Sequence, residues 1–239
     1  MLQRTLEPEV MDSALDAIEY NRMDHSAVNV KFVDELLVFL ANHDKRLRVD
    51  SDPLFDELDD PDVIGSLLDV GTGTALIPIE LCKRQSEVRV MGIDLAVSML
   101  DLAIQNIDIA GLRSQIQLAQ IDAKDCGYED EMFDAVISNS IIHHIPDPAT
   151  TVSEAIRTTR EGGVIFFRDL MRPGTAAEVD SLVETYAAEE SEYSRRLFGE
   201  SLHASLTLED MQDLVERFGG SADSVTATSD RHWTWAMIR

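Results

Sequence analysis

A glycine-rich turn that directly follows a short apolar run is the feature that most constrains how this chain can fold. The run SLLDV passes into Gly71, Thr72 and Gly73, and a helical pattern begins near Ala75. Glycine lets the backbone approach a ligand that side chains would block. Pro78 lies early enough in the helical pattern that its missing N–H breaks no hydrogen bond. The stretch therefore predicts a buried strand, a ligand-binding turn and a helix.

Apolar strand patterns and amphipathic helix patterns alternate along the chain after this turn. Further strands are predicted at VRVMGID, QIQLAQID, FDAVISN and GVIFFRDL, and helices at ALIPIELCKRQ, AVSMLDLAIQNIDIAG and PATTVSEAIRTTREGG. Asp147 is placed to cap the last of these helices, and Gly162 to end it. Two closing strands, SVTATS and HWTWAMI, are near enough in sequence to form an antiparallel hairpin. We therefore predict an α/β fold with a doubly wound, mostly parallel seven-stranded sheet and a C-terminal antiparallel hairpin.

The chain is predicted to have two parts. Residues 1–60 contain two helical patterns and an Asp-rich connector interrupted by proline, which indicates an N-terminal helical cap. Residues 61–239 contain the sheet of a Rossmann-like domain, with a helical insertion predicted at about 175–203. In the helix that follows, Thr207 and Asp210 have the spacing of a capping box.

Charge and composition disfavour several classes of protein. The chain has 45 acidic residues against 20 Lys and Arg, which gives a net charge of -25. A field of that sign repels phosphate backbones and anionic lipids, so a nucleic-acid partner is disfavoured. The first residues lack the apolar core of a signal peptide, and no apolar run approaches the roughly 18 residues of a membrane span. We expect a cytoplasmic protein without a membrane partner, and the composition is compatible with a homo-oligomer.

The glycine turn does not fit a dinucleotide site, because Leu76 stands where the GxGxxG pattern needs its last glycine. The turn instead resembles the GxGxG-type first motif of the class I S-adenosylmethionine-dependent methyltransferases, with Ala75 at the third glycine position. Later motifs of that family follow in order. Asp94 ends the second strand, Asp122 follows the third strand, and Asn139 ends the fourth.

The resemblance implies that S-adenosylmethionine is the cofactor. Asp94 would accept hydrogen bonds from the ribose hydroxyls, and its alternative role is a helix N-cap. Asp69 would lie near the cofactor's amino group or, alternatively, would cap the glycine loop. Asp122 and Ala123 would contact the adenine. The full set of implied cofactor residues is Asp69, Gly71, Thr72, Gly73, Asp94, Leu95, Asp122, Ala123 and Asn139.

Two adjacent histidines, His143 and His144, follow the fourth strand on the ligand side. Adjacent residues cannot face the same way in regular structure, so we expect one ring to point inward. That ring would act as a general base or acceptor-binding group, or would pack against the cofactor. We name His143, His144 and Asp169, at the end of the fifth strand, as catalytic candidates. A two-His metal site would need a carboxylate such as Asp169, but no metal-ligand spacing is present and we expect no metal.

A lid over the site is expected from the N-terminal segment. Tyr20, Met23 and His25 lie between the two N-terminal helical patterns, where such an extension often covers the cofactor in the resembled family. The alternative is a plain turn between helices. Arg172 follows the fifth strand, and its guanidinium would bind a substrate anion or pair with a neighbouring Asp.

The resemblance implies in-line methyl transfer to a small-molecule acceptor. A methyltransferase of RNA or protein would need a basic surface path, which the charge disfavours. A protein that binds the cofactor without transferring methyl, as a sensor or assembly subunit, is compatible with the same motifs. A nicotinamide oxidoreductase is disfavoured by Leu76.

Overall fold

The computed structural model describes residues 2–8, 17–18, 20–21, 26–47 and 62–239. Its strands are β1 (Arg46–Leu47), β2 (Val63–Ile64), β3 (Ser66–Val70), β4 (Arg89–Asp94), β5 (Ile116–Gln120), β6 (Phe133–Asn139), β7 (Thr159–Leu170), β8 (Val225–Ala227) and β9 (His232–Ile238). Its helices are α1 (Ser26–Asn42), α2 (Leu76–Arg84), α3 (Val97–Ala110), α4 (Pro148–Thr158), α5 (Ala176–Tyr186), α6 (Glu192–Ala204) and α7 (Leu208–Arg217). Short 3-10 turns lie at Ile142–His144 and Ala222–Ser224.

Seven strands form one twisted sheet in the order β5-β4-β3-β6-β7-β9-β8. The neighbours from β5 to β7 are parallel, whereas β9 pairs antiparallel with both β7 and β8. The predicted sheet and its C-terminal hairpin are thereby confirmed. Within this sheet, β3 is the first strand along the chain. The next two strands, β4 and β5, are added on one side of it, and β6 and β7 are added on the other side. A ligand crevice is expected at this reversal, outside the carboxyl ends of β3 and β6.

Both faces of the sheet are buried, as the continuous apolar strands require. Side chains alternate between the two layers along β7, with Val164 and Phe166 in one core and Ile165 and Phe167 in the other. The second core also holds Trp233 and Trp235 of β9, both fully buried. The Trp235 and Phe167 rings meet edge to face with centroids 5.4 Å apart. These layers fix the strand ends rigidly beneath the crevice.

Helix α1 packs on the first of these layers. The Phe32 and Phe166 rings meet at 5.2 Å between centroids in a T-shaped pair, and Leu36 joins the same core. The buried Arg168 guanidinium pairs with Glu35 of α1 at 2.5 Å. Part of the predicted N-terminal cap thus shares a core with the sheet, while the Asp-rich connector lies outside the described residues.

One predicted boundary is wrong. The helix α4 ends at Thr158, and residues up to Gly162, which were expected to finish it, open strand β7 instead. A Cβ at Gly163 would lie 2.7 Å from the Asp134 carbonyl oxygen, so this glycine is needed where two strand backbones meet closely. Gly162 has a φ of 71°, and the register between β6 and β7 shifts between Phe133 and Ala135. The glycine pair therefore forms an irregularity in a strand, not a helix stop.

The predicted insertion corresponds to two helices, α5 and α6. Thr175 caps α5 through a capping box with Glu178, and Ser191 caps α6. The predicted capping box of Thr207 and Asp210 starts α7. In the part of the chain that the structure describes, no helix combines the length and the apolar character needed to cross a bilayer.

Candidate active site

A cavity of about 350 Å³ lies over the carboxyl ends of β3, β4 and β6. All nine residues that the sequence implied for the cofactor line it, together with both histidines and Tyr20. Met23 and His25, the other lid candidates from this segment, lie outside the described residues. The structure therefore brings Tyr20 and residues from the carboxyl ends of four strands, β3, β4, β5 and β6, around one space.

The glycine loop at the end of β3 forms the floor of the cavity. Gly71 and Gly73 have φ values of 72° and 53°. A Cβ at Gly71 would lie 2.3 Å from Ile141 Cδ1, whereas a Cβ at Gly73 would meet nothing within 4 Å. Ala75 has a φ of 61° and precedes α2, so alanine here holds the left-handed backbone that glycine adopts at lower cost. The backbone of Gly73 is therefore open to a ligand.

Asp94 is fixed by backbone donors on both sides. Its Oδ2 accepts a hydrogen bond from the Gly73 amide at 2.8 Å, and its Oδ1 accepts one from the Ala96 amide at 2.9 Å. Burial raises the pKa of Asp94, against the opposing effect of these amides. Asp94 does not fill the alternative role of a helix N-cap, because Ala96 is the N-cap residue of α3 and no side chain caps this helix. The carboxylate ends β4 and lines the cavity.

Asp69 is a buried carboxyl at the same end of β3. Burial raises its pKa to about 7, Thr72 lowers it by hydrogen bonding, and the neighbouring Asp94 raises it further. On the opposite wall, Asp122 Oδ1 accepts from the Lys124 amide at 2.9 Å and lies 3.1 Å from Lys124 Nζ. Three carboxyl groups, those of Asp69, Asp94 and Asp122, thus line one cavity.

The two histidines also line the cavity, in the 3-10 turn that follows β6. Their rings lie side by side with centroids 4.2 Å apart. The expectation that only one ring would point inward is wrong, because it assumed regular structure and the chain forms a tight turn here. Both imidazoles are available to one ligand.

Asp169 orients His143. Its Oδ1 lies 2.5 Å from His143 Nδ1, and its Oδ2 accepts from the His143 amide at 3.2 Å. Both side chains are buried. Burial alone would lower the pKa of His143 and raise that of Asp169, but their mutual contact outweighs it and shifts each pKa in the opposite direction. With Nδ1 held in this way, Nε2 of His143 remains for a ligand.

Glu7 is a site residue that the sequence reasoning missed. Its Oε1 lies 3.0 Å from His144 Nδ1 and 3.5 Å from His143 Nε2, and Ser201 Oγ donates to Oε2 at 3.2 Å. Burial opposes ionisation of Glu7, yet His144, His143 and Ser201 together lower its pKa. No local pattern marks this residue, since its partners are more than a hundred positions away.

Segment 2–8 carries Glu7 to the two histidines that line the cavity. The Thr5 amide donates to the His203 carbonyl at 3.0 Å. Arg4 Nε donates to the Ala204 carbonyl at 2.6 Å, and its NH2 group donates to the Ile145 carbonyl at 2.9 Å. The segment is thereby tied both to α6 and to the histidine turn.

Arg172 does not line the cavity. Its guanidinium donates to the Ser205 carbonyl at 2.9 Å and to Asp210 Oδ2 at 2.8 Å. Of the two roles considered for this residue, the structure supports pairing with a neighbouring Asp. Arg172 joins β7 to the start of α7 instead of facing the cavity.

Comparison with known proteins finds similarity to methyltransferases. Residues 68–167 match a family described as a methyltransferase domain. Phosphatidylethanolamine N-methyltransferase of Cereibacter sphaeroides is 36% identical over 101 residues, which cover 42% of this chain and 48% of that protein. Demethylmenaquinone methyltransferase of Porphyromonas gingivalis is 27% identical over 165 residues, which cover 64% and 67% of the two chains.

The chain spans about half the length of the curated relatives that it matches at 30% identity or more. The likeness in fold extends further. A solved structure from Methanococcus maripaludis, described as an S-adenosyl-L-methionine-dependent methyltransferase, superposes with a TM-score of 0.65 at 17% identity and covers 98% of this chain and 97% of its own. Residues 68–167 are thus similar in sequence to a methyltransferase domain, and the chain as a whole has the fold of the S-adenosyl-L-methionine-dependent methyltransferases.

Proposed function

We propose that the protein transfers a methyl group from S-adenosylmethionine to a small-molecule acceptor held beside His143 and His144. The observation that carries this proposal is one cavity that is lined both by Asp69, Asp94 and Asp122 and by the two histidines. The cofactor supplies a methyl group on a sulfonium, which is already activated for displacement. The protein therefore has to hold an acceptor atom in line, and positioning of this kind supplies much of the acceleration.

The residues at the cofactor end fit this group. Asp94 and Asp122 each offer carboxylate oxygens for hydroxyl or amine donors, and both are preset by backbone amides. The Asp69 carboxylate would pair with the cationic amino group of the cofactor. Because Gly73 has no side chain, the space that a Cβ would occupy there is open to a ligand. The donor and acceptor chemistry thus matches a ribose, an adenine and an amino acid end.

The acceptor end favours a small molecule over a polymer. Helix α6 closes this end with Ser194, Leu197, Phe198 and Ser201, all of which line the cavity, and segment 2–8 crosses beside it. The net charge of -25 repels nucleic acids. Two relatives are named for small or lipid acceptors, phosphatidylethanolamine and demethylmenaquinone. A polar acceptor group would bind at His143 and His144, which would polarise it, with Asp169 fixing the first ring.

The test is to incubate the protein with methyl-labelled S-adenosylmethionine and separate small-molecule, protein and RNA fractions of a cell extract. Label should enter the small-molecule fraction, and the matched variants His143→Gln and Asp169→Asn should reduce that transfer while His43→Gln leaves it unchanged. Label in RNA or protein would contradict the proposed acceptor class. Cofactor binding without label in any fraction would favour the sensor or assembly role.

A further inference from the structure

Glu7, His143 and His144 form a cluster in which three different ligand atoms face one another. The two imidazole nitrogens and the carboxylate oxygen all lie within 4.8 Å of one another. The side chains are buried, with exposed fractions of 7% for Glu7, 4% for His143 and 17% for His144. Two imidazoles and one carboxylate form a donor set that divalent transition metals prefer.

The two distances from Glu7 to the histidine nitrogens match those between ligands of one ion. Glu7 Oε1 lies 3.5 Å from His143 Nε2 and 3.0 Å from His144 Nδ1. Ligands bound at about 2.0–2.2 Å lie roughly 3.3–3.5 Å apart around a tetrahedral ion and roughly 3.0 Å apart as neighbours around an octahedral one. The two separations measured from Glu7 therefore need little rearrangement to accept a metal.

Hydrogen bonds do not fully satisfy the polar atoms of this cluster. His144 Nδ1 lies 3.0 Å from the Glu7 carboxylate and lowers the pKa of Glu7, but the geometry of this contact is poor and leaves the buried nitrogen without a well-formed hydrogen bond among the described residues. A buried polar atom of this kind carries a free-energy cost. An ion between the two atoms would satisfy the nitrogen and the carboxylate together.

Asp169 supplies the outer contact that metal-bound histidines usually have. A metal-ligating imidazole almost always gives its other nitrogen to a carboxylate or carbonyl, which fixes the ring. Asp169 Oδ1 holds His143 Nδ1 at 2.5 Å, on the side of the ring away from Glu7. Nε2, the nitrogen that faces Glu7, is the one left for a metal.

We propose that Glu7, His143 and His144 bind one divalent transition metal ion at the acceptor end of the cavity, with Asp169 as a positioning residue. Both histidines line the cavity, so an ion there is open to an oxygen or nitrogen atom of the acceptor. This last point rests on the proposed function, whereas metal binding itself does not. The inference replaces the expectation of a metal-free site, which lacked the carboxylate that segment 2–8 contributes.

The test is to titrate metal-free protein with Co²⁺ and with Zn²⁺, following Co²⁺ by its visible absorption and Zn²⁺ by calorimetry. One ion should bind per chain, with a Co²⁺ spectrum typical of nitrogen and oxygen ligands. Glu7→Gln and His144→Gln should abolish the spectrum. Asp169→Asn should weaken Zn²⁺ binding about 10- to 100-fold, as loss of an outer contact does. His43→Gln, at the exposed end of α1, should change nothing.

Binding of S-adenosylhomocysteine to the same variants shows that each one is folded and tests the cofactor site separately. Unchanged metal affinity in Glu7→Gln and His144→Gln would place the ion elsewhere and overturn the proposal. Absence of one-to-one metal binding by the wild-type protein would overturn it as well, with the cluster then acting as a network of ion pairs. Either result leaves the proposed methyl transfer intact, because that is measured with labelled cofactor.

Discussion

At the scale of single residues, Asp69 should make ligand binding in the cavity depend on pH. Burial raises its pKa to about 7, and the other titratable groups beside it, Asp94 and Tyr20, also have raised pKa values. Below that pKa the free protein must release a proton before the carboxylate can pair with the amino group of the cofactor. Affinity for S-adenosylhomocysteine should therefore rise roughly tenfold per pH unit up to a pH of about 7 and level off above it.

Calorimetric titrations at pH values on both sides of that pKa test this prediction. The affinity of the Asp69→Asn variant should not change with pH. The effect on stability has the opposite sign. The folded-state pKa lies above the ordinary 3.8, so the free protein should lose stability as the pH rises from 3.8 to about 7. An affinity that is independent of pH in the wild-type protein would contradict the assignment of Asp69 to the amino group.

Residues of the cofactor end could be predicted from sequence because each is local to a strand end. Asp69, Asp94 and Asp122 lie at or just beyond the carboxyl ends of parallel strands, which converge at one edge of the sheet. Glu7 could not be predicted in this way. Its contacts depend on segment 2–8 reaching α6 and the histidine turn, and no sequence period reports such a contact. The sequence did not predict that both histidines line the cavity, because it assumed alternating side chains, and side chains in a 3-10 turn do not alternate.

At the scale of elements, helix caps explain why the insertion and the last helix begin where they do. In α7, the Thr207 hydroxyl accepts from the Asp210 amide at 3.0 Å, and Asp210 accepts from the Thr207 amide at 2.9 Å. Thr207→Ala should lower the free energy of unfolding by about 1 kcal/mol, as loss of an N-cap does. Urea denaturation measures this change.

The control for this prediction is Thr226→Ala, at an exposed position of the edge strand β8, which should cost only a few tenths of a kcal/mol. Equal effects of the two substitutions would show that the cap contributes nothing specific. The capping box was predictable because its two residues are three positions apart. The end of α4 was not, because Gly162 and Gly163 serve a contact with β6 that the sequence does not reveal.

At the scale of the whole molecule, the charge of -25 acts on stability as well as on partners. Self-repulsion among acidic side chains weakens the compact state, and salt screens it. Adding NaCl to about 0.5 M should therefore raise Tm, which thermal unfolding in a salt series measures. A falling Tm would show that ion pairs such as Arg84 with Asp34, 2.6 Å apart, outweigh the repulsion.

The overall architecture could be predicted because alternating strand and helix patterns permit few connections. The mostly parallel sheet follows from that rule, and the hairpin follows from the short spacing of the last two strands. The arrangement of segment 2–8 and α6 around the cavity does not follow from it, since both lie outside the repeating pattern. The part of the molecule that would select the acceptor is thus the part that sequence reasoning describes least.

The measurement that tests the central claim most directly is calorimetric titration with S-adenosylhomocysteine and with NAD. The wild-type protein should bind S-adenosylhomocysteine and not NAD, and Asp94→Ala should lose this binding. Asp108→Ala removes a partly exposed carboxylate that pairs with Arg113 and should bind like the wild type. Binding of NAD instead, or unchanged S-adenosylhomocysteine affinity in Asp94→Ala, would contradict the assignment of the cavity.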